Sequence, residues 1–364
     1  MKFNVSMTCG FDSSTDELIG GGVEINDDKY NKDVYVELDK LVCEYYSVKY
    51  GQKLYKNNTK KEKIETQKKL LEDKKKLISI ANNIVYGYKD LFCYTDENKN
   101  EKFIEGTTFN EIYSLYEFDR ELRAIIFEYT LQIENTLRTL VSHVFSKYHG
   151  VENYLRYSNF DFIDYKSASN KKINERAKHI NELISNMQMD LARYTIKKDY
   201  INHYVVKEGY VPLWVLVNAI SFSRLSTFYN LMKQKERIEV SQHWGIQETD
   251  LTSYIEVLAF FRNLCAHDDR LYNTKCKKQI SDTNYHSLLA IPKNIKNQYI
   301  KGKNDIFSII IVSKILLPSK EFNTMFNKIS GRLSSLSKKL NVITLEKVYE
   351  QMGLSENWYL IKKI

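Results

Sequence analysis

The most distinctive polar residues of the chain lie together in the segment Phe260–His267, which reads FFRNLCAH. Asn263 and His267 are four residues apart, so a helix would place them on one face, with Arg270 three positions further on. Arg262 lies on another side of such a helix, but its long side chain can reach around the turn. The spacing predicts a polar pocket at a helix end. A hydrogen-bonded corner that only holds the fold together is the alternative.

Other kinds of chemistry find less support in the sequence. It contains no GxSxG, P-loop, GxGxxG or HExxH motif, which argues against a nucleophile-elbow hydrolase, an NTPase or a zinc protease. His267, Asp268 and Asp269 carry metal-ligating groups, but successive residues of a helical turn point in different directions. A second set of possible ligands matches no zinc-binding spacing (Cys265, His267, Cys276 and His286). We therefore predict no metal site and no cofactor, with a metal phosphohydrolase built on the first three residues as an alternative.

Periodic apolar residues predict the helices that position the segment. Leu251 to Ala266 has helical spacing and delivers the polar residues. The strongest period starts after Thr108 and Glu111, which have the form of a capping box. It continues at steps of three and four to a helix end near Gly150 (Leu115, Phe118, Leu122, Ile126, Tyr129, Ile133, Leu137, Leu140 and Val144).

Two acid–base pairs in this long helix have a spacing of four residues: Asp119 with Arg123, and Glu134 with Arg138. Such pairs are typically exposed ion pairs on a helix surface. Buried structural pairs are the alternative. Further helices are predicted before and after the segment: Asn170–Tyr204, Pro212 to about Glu236, Asp305–Leu317, Glu321–Leu340 and Thr344–Met352, with Gly353 as a C-cap.

The composition supports a helical, folded protein. Hydrophobic residues make up 43% and charged residues 27% of the 364 residues, with only 13 glycines and 3 prolines. So few turn-forming residues argue against a sandwich, barrel or propeller. The fold predicted is all-α.

Charge and cysteine content bear on partners and location. Lysine and arginine exceed aspartate and glutamate by 54 to 46, and this net charge of +8 gives mild support for a polyanionic partner such as nucleic acid. The lysine run Lys60–Lys76 fits a solvated helix face or a phosphate-contacting ridge. Five cysteines without a CxxC pair favour a reducing cytoplasm. The longest apolar run, Val211–Ile220, is too short for a bilayer, so we predict no membrane or secretory segment.

Several strings together resemble a known family. RNLCAH followed by DDRLYN is similar to the RNxxxH signature of HEPN ribonucleases, in the version carried by the Abi (abortive infection, AbiD/AbiF-like) family. The wider context is similar too: GTTF, LYEFDRELR, IENTLR, PLW before a Ser-Phe helix, and MGL with Trp358 near the end. The resemblance covers about Leu77 to Trp358. The chain departs from many relatives at Asp268, where they have a second histidine, and at Ser223, where they have a glycine; we expect the latter to affect only helix packing.

The resemblance implies a HEPN-like helical bundle with additional N- and C-terminal helices, acting on RNA without a metal. Histidine ordinarily titrates near neutral pH, so His267 would move protons during attack by the RNA 2′-hydroxyl. Arg262 would stabilise the phosphorane, and Asn263 would orient His267 or bind a phosphate oxygen. A second group of residues is expected to support the site or bind substrate (Arg270, Asn273, Asp119, Arg123, Glu134 and Arg138). Because each chain has one motif, a composite site requires a homodimer.

We divide the sequence into four segments: an N-terminal arm and short helix with strand possible at Lys2–Met7 (1–58), an amphipathic helical segment (59–105), a HEPN-like core carrying RNxxxH (106–275) and a C-terminal helical extension (276–364). The function expected is that of a cytoplasmic, phage-defence endoribonuclease with RNA as its substrate. The alternative is a non-catalytic RNA-binding module, or a component of a complex with a structured non-coding RNA.

Overall fold

The computed structural model describes residues 79–163 and 169–364, together with four short strands nearer the N-terminus. These strands are Val5–Met7 (β1), Gly10–Asp12 (β2), Glu17–Ile19 (β3) and Val23–Ile25 (β4), in antiparallel pairs β1 with β4 and β2 with β3. The strand expected within Lys2–Met7 is thus confirmed at β1. Of the helix predicted from Thr59 to Phe92, residues 59–78 with the lysine run lie outside the described residues, and residues 79–88 are helical.

Helices dominate the rest of the chain, and the predicted all-α class is confirmed. The α-helices are residues 79–88 (α1), Phe109–His149 (α2), Asn170–Lys197 (α3), Asp199–Glu208 (α4), Leu213–Leu216 (α5), Phe222–Leu231 (α6), Gln234–Gln242 (α7), Glu248–Ala266 (α8), Asn284–Leu288 (α9), Ile306–Leu316 (α10), Ser319–Ser337 (α11) and Leu345–Met352 (α12). A small antiparallel hairpin, Cys93–Thr95 (β5) with Glu101–Phe103 (β6), precedes α2. Among the described residues, none of the helices is both long and apolar enough to span a membrane.

The chain forms two compact units. The N-terminal unit comprises Met1–Arg120 and Arg332–Lys347, and the main unit comprises Glu121–Gly331 and Val348–Ile364. The four segments proposed from the sequence remain a prediction about its organisation.

Helix α2 follows the predicted apolar period closely. Eight of the nine periodic residues are buried, and Leu140 is half-buried. Its N-terminus shows one half of the predicted capping box, because the Glu111 amide donates to the Thr108 hydroxyl at 3.3 Å. The Glu111 carboxylate instead accepts from the backbone amides of Asn341 and Val342, at 2.5 and 2.8 Å. Within the N-terminal unit, this carboxylate therefore joins the helix start to a distant loop.

Helix α8 lies at the centre of the main unit. It packs against α6, α7 and α10, while α3 packs against α4 and α6. Helix α10 is apolar on all sides and most of its residues are buried, as expected for a core helix. Its N-cap is Asp305, whose carboxylate accepts from the Ser308 amide at 3.0 Å. The unit thus encloses α8, the helix that carries the RNxxxH motif, on several sides.

The helix predicted from Pro212 to about Glu236 is wrong in extent, since three helices occupy this region. Pro212 caps the short α5, and α6 starts separately because the Ser221 hydroxyl accepts from the Arg224 amide at 3.3 Å. Extended backbone at Met232 and Lys233 then separates α6 from α7. Extended backbone at Lys198 likewise divides the predicted helix 170–204 into α3 and α4. In the C-terminal part, the predicted C-cap Gly353 has φ +75°, as that role requires.

Candidate active site

The site is built where α8 ends. His267 is the C-cap of α8, and its backbone amide donates to the carbonyls of Asn263 and Leu264, at 3.1 and 3.3 Å. Asp268 then adopts a left-handed conformation with φ +61°, which aspartate tolerates better than most residues. The chain therefore turns sharply after His267, whose side chain is exposed. Among the described residues, none forms a hydrogen bond with its imidazole.

A buried arginine from α2 holds this turn. Arg123 donates from Nη2 to Oδ1 of Asp268 at 2.6 Å and from Nη1 to the carbonyl of Asp269 at 3.3 Å. Its side chain is only 4% exposed, so it depends on partners to offset the loss of hydration. Asp268 itself is largely exposed. The turn after His267 is thus anchored to a long, well-packed helix.

Arg262 belongs to a separate charge cluster with Glu134 and Arg138. Its Nε donates to Oε2 of Glu134 at 3.1 Å, while Oε1 of the same carboxylate accepts from Arg138 Nη2. Arg138 also donates to the carbonyl of Ile220 at 2.8 Å. Glu134 and Arg138 are buried, whereas the Arg262 side chain is 23% exposed and its guanidinium lies 5.4 Å from the centre of the Phe127 ring. The cluster fixes Arg262 while leaving part of it accessible to solvent.

Asn263 lines a cleft together with His267. The Asn263 side-chain amide donates to the hydroxyl of Ser223 on α6 at 2.8 Å. The cleft has a volume of about 510 Å³ and includes Phe260, Glu256 and Lys278 in its lining. Lys278 and Glu256 form an ion pair at 3.6 Å. The imidazole therefore faces a solvent-accessible space with hydroxyl, amide, carboxylate and ammonium groups within its walls.

The structure brings only some of the predicted site residues together. His267 and Asn263 both line the cleft. Arg262 is not among the described residues that line it, because the Arg262 side chain turns towards Glu134. Arg270 was expected on the same helical face as His267. That expectation is wrong, because the helix ends at Ala266 and the left-handed residue Asp268 intervenes.

The remaining predicted residues are placed as follows. Arg270 and Asn273 are half-buried and absent from the described lining of the cleft. Asp119 belongs to the N-terminal unit, where its carboxylate accepts from the Tyr88 hydroxyl at 2.7 Å. Surface ion pairs were the default expectation for Asp119, Arg123, Glu134 and Arg138, but all four are buried. The alternative of a buried pair holds for Glu134 with Arg138.

Two departures from the family pattern take part in the site, and sequence reasoning missed both contacts. Ser223 was expected to affect only helix packing, yet its hydroxyl accepts from Asn263. Asp268 pairs with Arg123 across 145 positions of sequence. The signal for both was a polar or charged residue at a position where the family pattern has a different one. Identifying the partners required the fold.

Metal-ligating groups do not cluster here. Among the described residues, no three histidine, cysteine, aspartate or glutamate side chains come close enough together to hold an ion. Cys276, which belongs to the possible zinc set, is a buried thiol. His286, another member of the possible zinc set, is buried and bonds through its ring nitrogens to Thr283 and the Gly302 carbonyl, at 3.0 Å each. Its burial lowers the pKa of the imidazole.

The fold and the site define an all-α protein with an exposed histidine in a surface cleft. Comparison with family models adds a specific assignment: residues 82–273, just over half of the chain, match the Abi-like protein family. The chain therefore belongs to the Abi-like protein family. This membership suggests a role in abortive infection, which is a form of phage defence. Neither a curated protein nor a solved structure gives a significant match.

Proposed function

We propose that this protein is a phage-defence endoribonuclease that cleaves RNA without a metal, with His267 as its proton carrier. One observation carries the proposal: the His267 imidazole is exposed in a surface cleft while the turn that bears it is clamped by Arg123. A clamped backbone with a solvent-accessible imidazole suits a general acid–base, which must reach a substrate in a fixed orientation. A histidine with a purely structural role would normally be bonded within the protein.

The reaction needs no group beyond the RNA and the protein. The 2′-hydroxyl oxygen forms a bond to the adjacent phosphorus, and the bond from phosphorus to the 5′-oxygen breaks. A base takes the proton of the 2′-hydroxyl, and an acid gives a proton to the departing 5′-oxygen. The products are a 2′,3′-cyclic phosphate and a 5′-hydroxyl. Histidine can take or give a proton near neutral pH, so His267 serves one of these steps.

Arg262 supplies the positive charge that the more anionic phosphorane requires. Among the described residues, Nε makes all of the hydrogen bonds of this guanidinium, which leaves its two Nη groups as donors. They form the two-pronged arrangement that matches phosphate oxygens. We assign Asn263, one helical turn before His267, to orienting His267 or donating to a phosphate oxygen.

A second copy of the chain completes this arrangement. One imidazole cannot donate and accept a proton at the same moment, and the chain contains a single RNxxxH motif. Two motifs that meet across a homodimer supply two histidines and two arginines around one phosphate. Sedimentation equilibrium of the wild-type chain tests this part. A strictly monomeric protein that still cleaves RNA would contradict the composite site.

The test of the activity uses purified protein and RNA in EDTA. We expect cleavage by the wild type and its loss in His267→Ala. His203→Ala is the matched control, because His203 on α4 is also exposed and does not line the cleft. Absence of cleavage by the wild type, or equal cleavage by His267→Ala, would reject the proposal. Activity that requires a divalent ion would also reject the metal-independent mechanism.

A non-catalytic RNA-binding role is the second candidate, either alone or with a structured non-coding RNA. Two observations favour this candidate. Within one chain, Arg262 is not among the described residues that line the cleft of His267, and the net charge of the sequence is +8. A gel shift that weakens with salt, persists in His267→Ala and leaves the RNA intact would support it. Sequencing of copurifying RNA would then distinguish a defined RNA partner from mixed substrate fragments.

A further inference from the structure

A second cleft adjoins the one that contains His267. It has a volume of about 480 Å³ and is lined by α3, α6 and α8. The two clefts share Ser223, Ser226, Thr227 and Glu256. They therefore form one continuous groove, which we call the α6 groove, leading away from His267.

Each end of the α6 groove presents an exposed flat ring. Phe260 lines the end that contains His267 and is 37% exposed, whereas the next residue, Phe261, is fully buried. His179 on α3 lines the other end and is exposed, and none of the described residues forms a hydrogen bond with its ring. Phe260 therefore keeps part of its aromatic surface accessible inside the cleft. Both rings are accessible to a planar ligand in the groove.

The groups between the rings match bases better than a phosphate backbone. The Ser223 hydroxyl accepts from Asn263 and can still donate, the Thr227 hydroxyl donates to the Ser223 carbonyl and can still accept, and Glu256, although paired with Lys278, offers acceptors only. The two arginines of the second cleft are already neutralised, because Arg176 pairs with Asp161 at 3.0 Å and Arg224 pairs with Asp190. A phosphate backbone would require unbalanced positive charge, whereas base edges require donors and acceptors together.

We infer that the α6 groove binds single-stranded RNA by its bases, with one base stacked on Phe260 and another on His179. This inference rests on the proposed function, since it places the scissile phosphate near His267. Unpaired bases stack on aromatic and histidine rings in this way, whereas the bases of a duplex are stacked on each other and unavailable. The inference makes Phe260 and His179 residues of substrate affinity rather than of the chemical step.

The test measures binding independently of cleavage. A short, fluorescently labelled, single-stranded 2′-O-methyl RNA lacks the nucleophilic hydroxyl, and its affinity for the wild-type chain is read by anisotropy. Phe260→Leu and His179→Leu remove a flat ring, and each is expected to raise Kd about 5- to 150-fold, from the cost of losing one stacked base. Phe260→Tyr and His179→Phe keep a ring and are expected to retain most of the affinity. Tyr359→Leu is the control, because Tyr359 is 53% exposed but absent from the described lining.

The outcomes separate this inference from the proposed function. Unchanged Kd in both leucine variants would overturn the groove, even if the wild type cleaves RNA. Weaker binding in these variants, together with equal RNA cleavage by wild type and His267→Ala, would support the groove and reject the role of His267. Sedimentation experiments check one more outcome for Phe260→Leu. If this variant changes the oligomeric state but leaves Kd per subunit unaltered, Phe260 belongs to a contact between copies, and its stacking role is overturned. A duplex that binds as tightly as the single strand would also contradict the inference.

Discussion

Replacement of Glu134 by alanine probes the charge cluster that fixes Arg262. This carboxylate is 2% exposed and binds two arginines, and the Arg138 side chain is only 10% exposed. Removal of one partner from a buried ion pair leaves an uncompensated charge and costs about 3–5 kcal/mol. Arg262→Ala should cost less, about 1–2 kcal/mol, because Arg262 is more exposed and Glu134 keeps Arg138 as a partner. We therefore expect Glu134→Ala to lower the free energy of unfolding more than Arg262→Ala.

Urea unfolding followed by tryptophan fluorescence measures this difference. The three tryptophans, Trp214, Trp244 and Trp358, all lie in the main unit, so the signal reports the unit that contains the cluster. A shift of the urea midpoint at constant slope identifies a change in stability. The double substitution Glu134→Met with Arg138→Leu replaces the pair by apolar groups and is expected to cost less than Glu134→Ala alone. A smaller loss for Glu134→Ala than for Arg262→Ala would refute the reasoning.

Three further predictions address the C-terminal region and the turn after His267. Gly353→Ala should lower the urea midpoint more than Gly209→Ala. Both glycines have φ near +75°, so the backbone strain of an alanine is the same at the two positions. A Cβ at Gly353 would lie 2.1 Å from the Asp305 carboxylate, whereas a Cβ at Gly209 would meet nothing within 4 Å. Burial raises the pKa of Asp305 to about 6, so the folded state holds the proton of this carboxyl more tightly than the unfolded chain does. The protonated Asp305 therefore contributes to the free energy of unfolding below about pH 4. This contribution should fall by about 3 kcal/mol as the pH rises through about 6. Asp305→Asn, which lacks this titration, should therefore gain stability relative to wild type from about pH 4 to about pH 7 in urea titrations, and a loss over that range would contradict the assignment. In an RNA cleavage assay, Asp268→Asn should retain most of the activity, since asparagine tolerates φ +61° and its side-chain oxygen can accept from Arg123. Asp268→Ala should lose the activity. Equal cleavage rates of the two variants would show that the contact between Arg123 and residue 268 has no role in activity.

Local sequence patterns were sufficient to predict much of the helical framework. The apolar period of α2 runs through a single long helix, so its buried face could be identified from spacing alone. Helix α8 and the polar residues at its end followed from the same reasoning. The failures occurred where short-range hydrogen bonds interrupt a favourable pattern. At Ser221, for example, a side-chain cap starts a new helix inside the region predicted as one.

The partners of the site residues were beyond the reach of sequence spacing. Arg123 was expected on the helix surface, yet it is buried, and one of its partners is Asp268. Arg262 binds Glu134, which is 128 positions away. Such contacts depend on how α2 and α8 pack, and a period of three to four residues contains no information about that. The motif located the site, while the fold determined which of its residues share the cleft.

The nature of the RNA ends is the most direct test of the central claim that His267 serves attack by the 2′-hydroxyl. An oligoribonucleotide and a matched one with a single 2′-deoxy sugar at the cleaved position are incubated with wild type and His267→Ala in EDTA, and the products are identified by mass spectrometry. The account predicts 2′,3′-cyclic phosphate and 5′-hydroxyl ends from the wild type, no cut at the deoxy position and no products from His267→Ala. Cleavage at the deoxy position, or the same products at the same rate from His267→Ala, would contradict it.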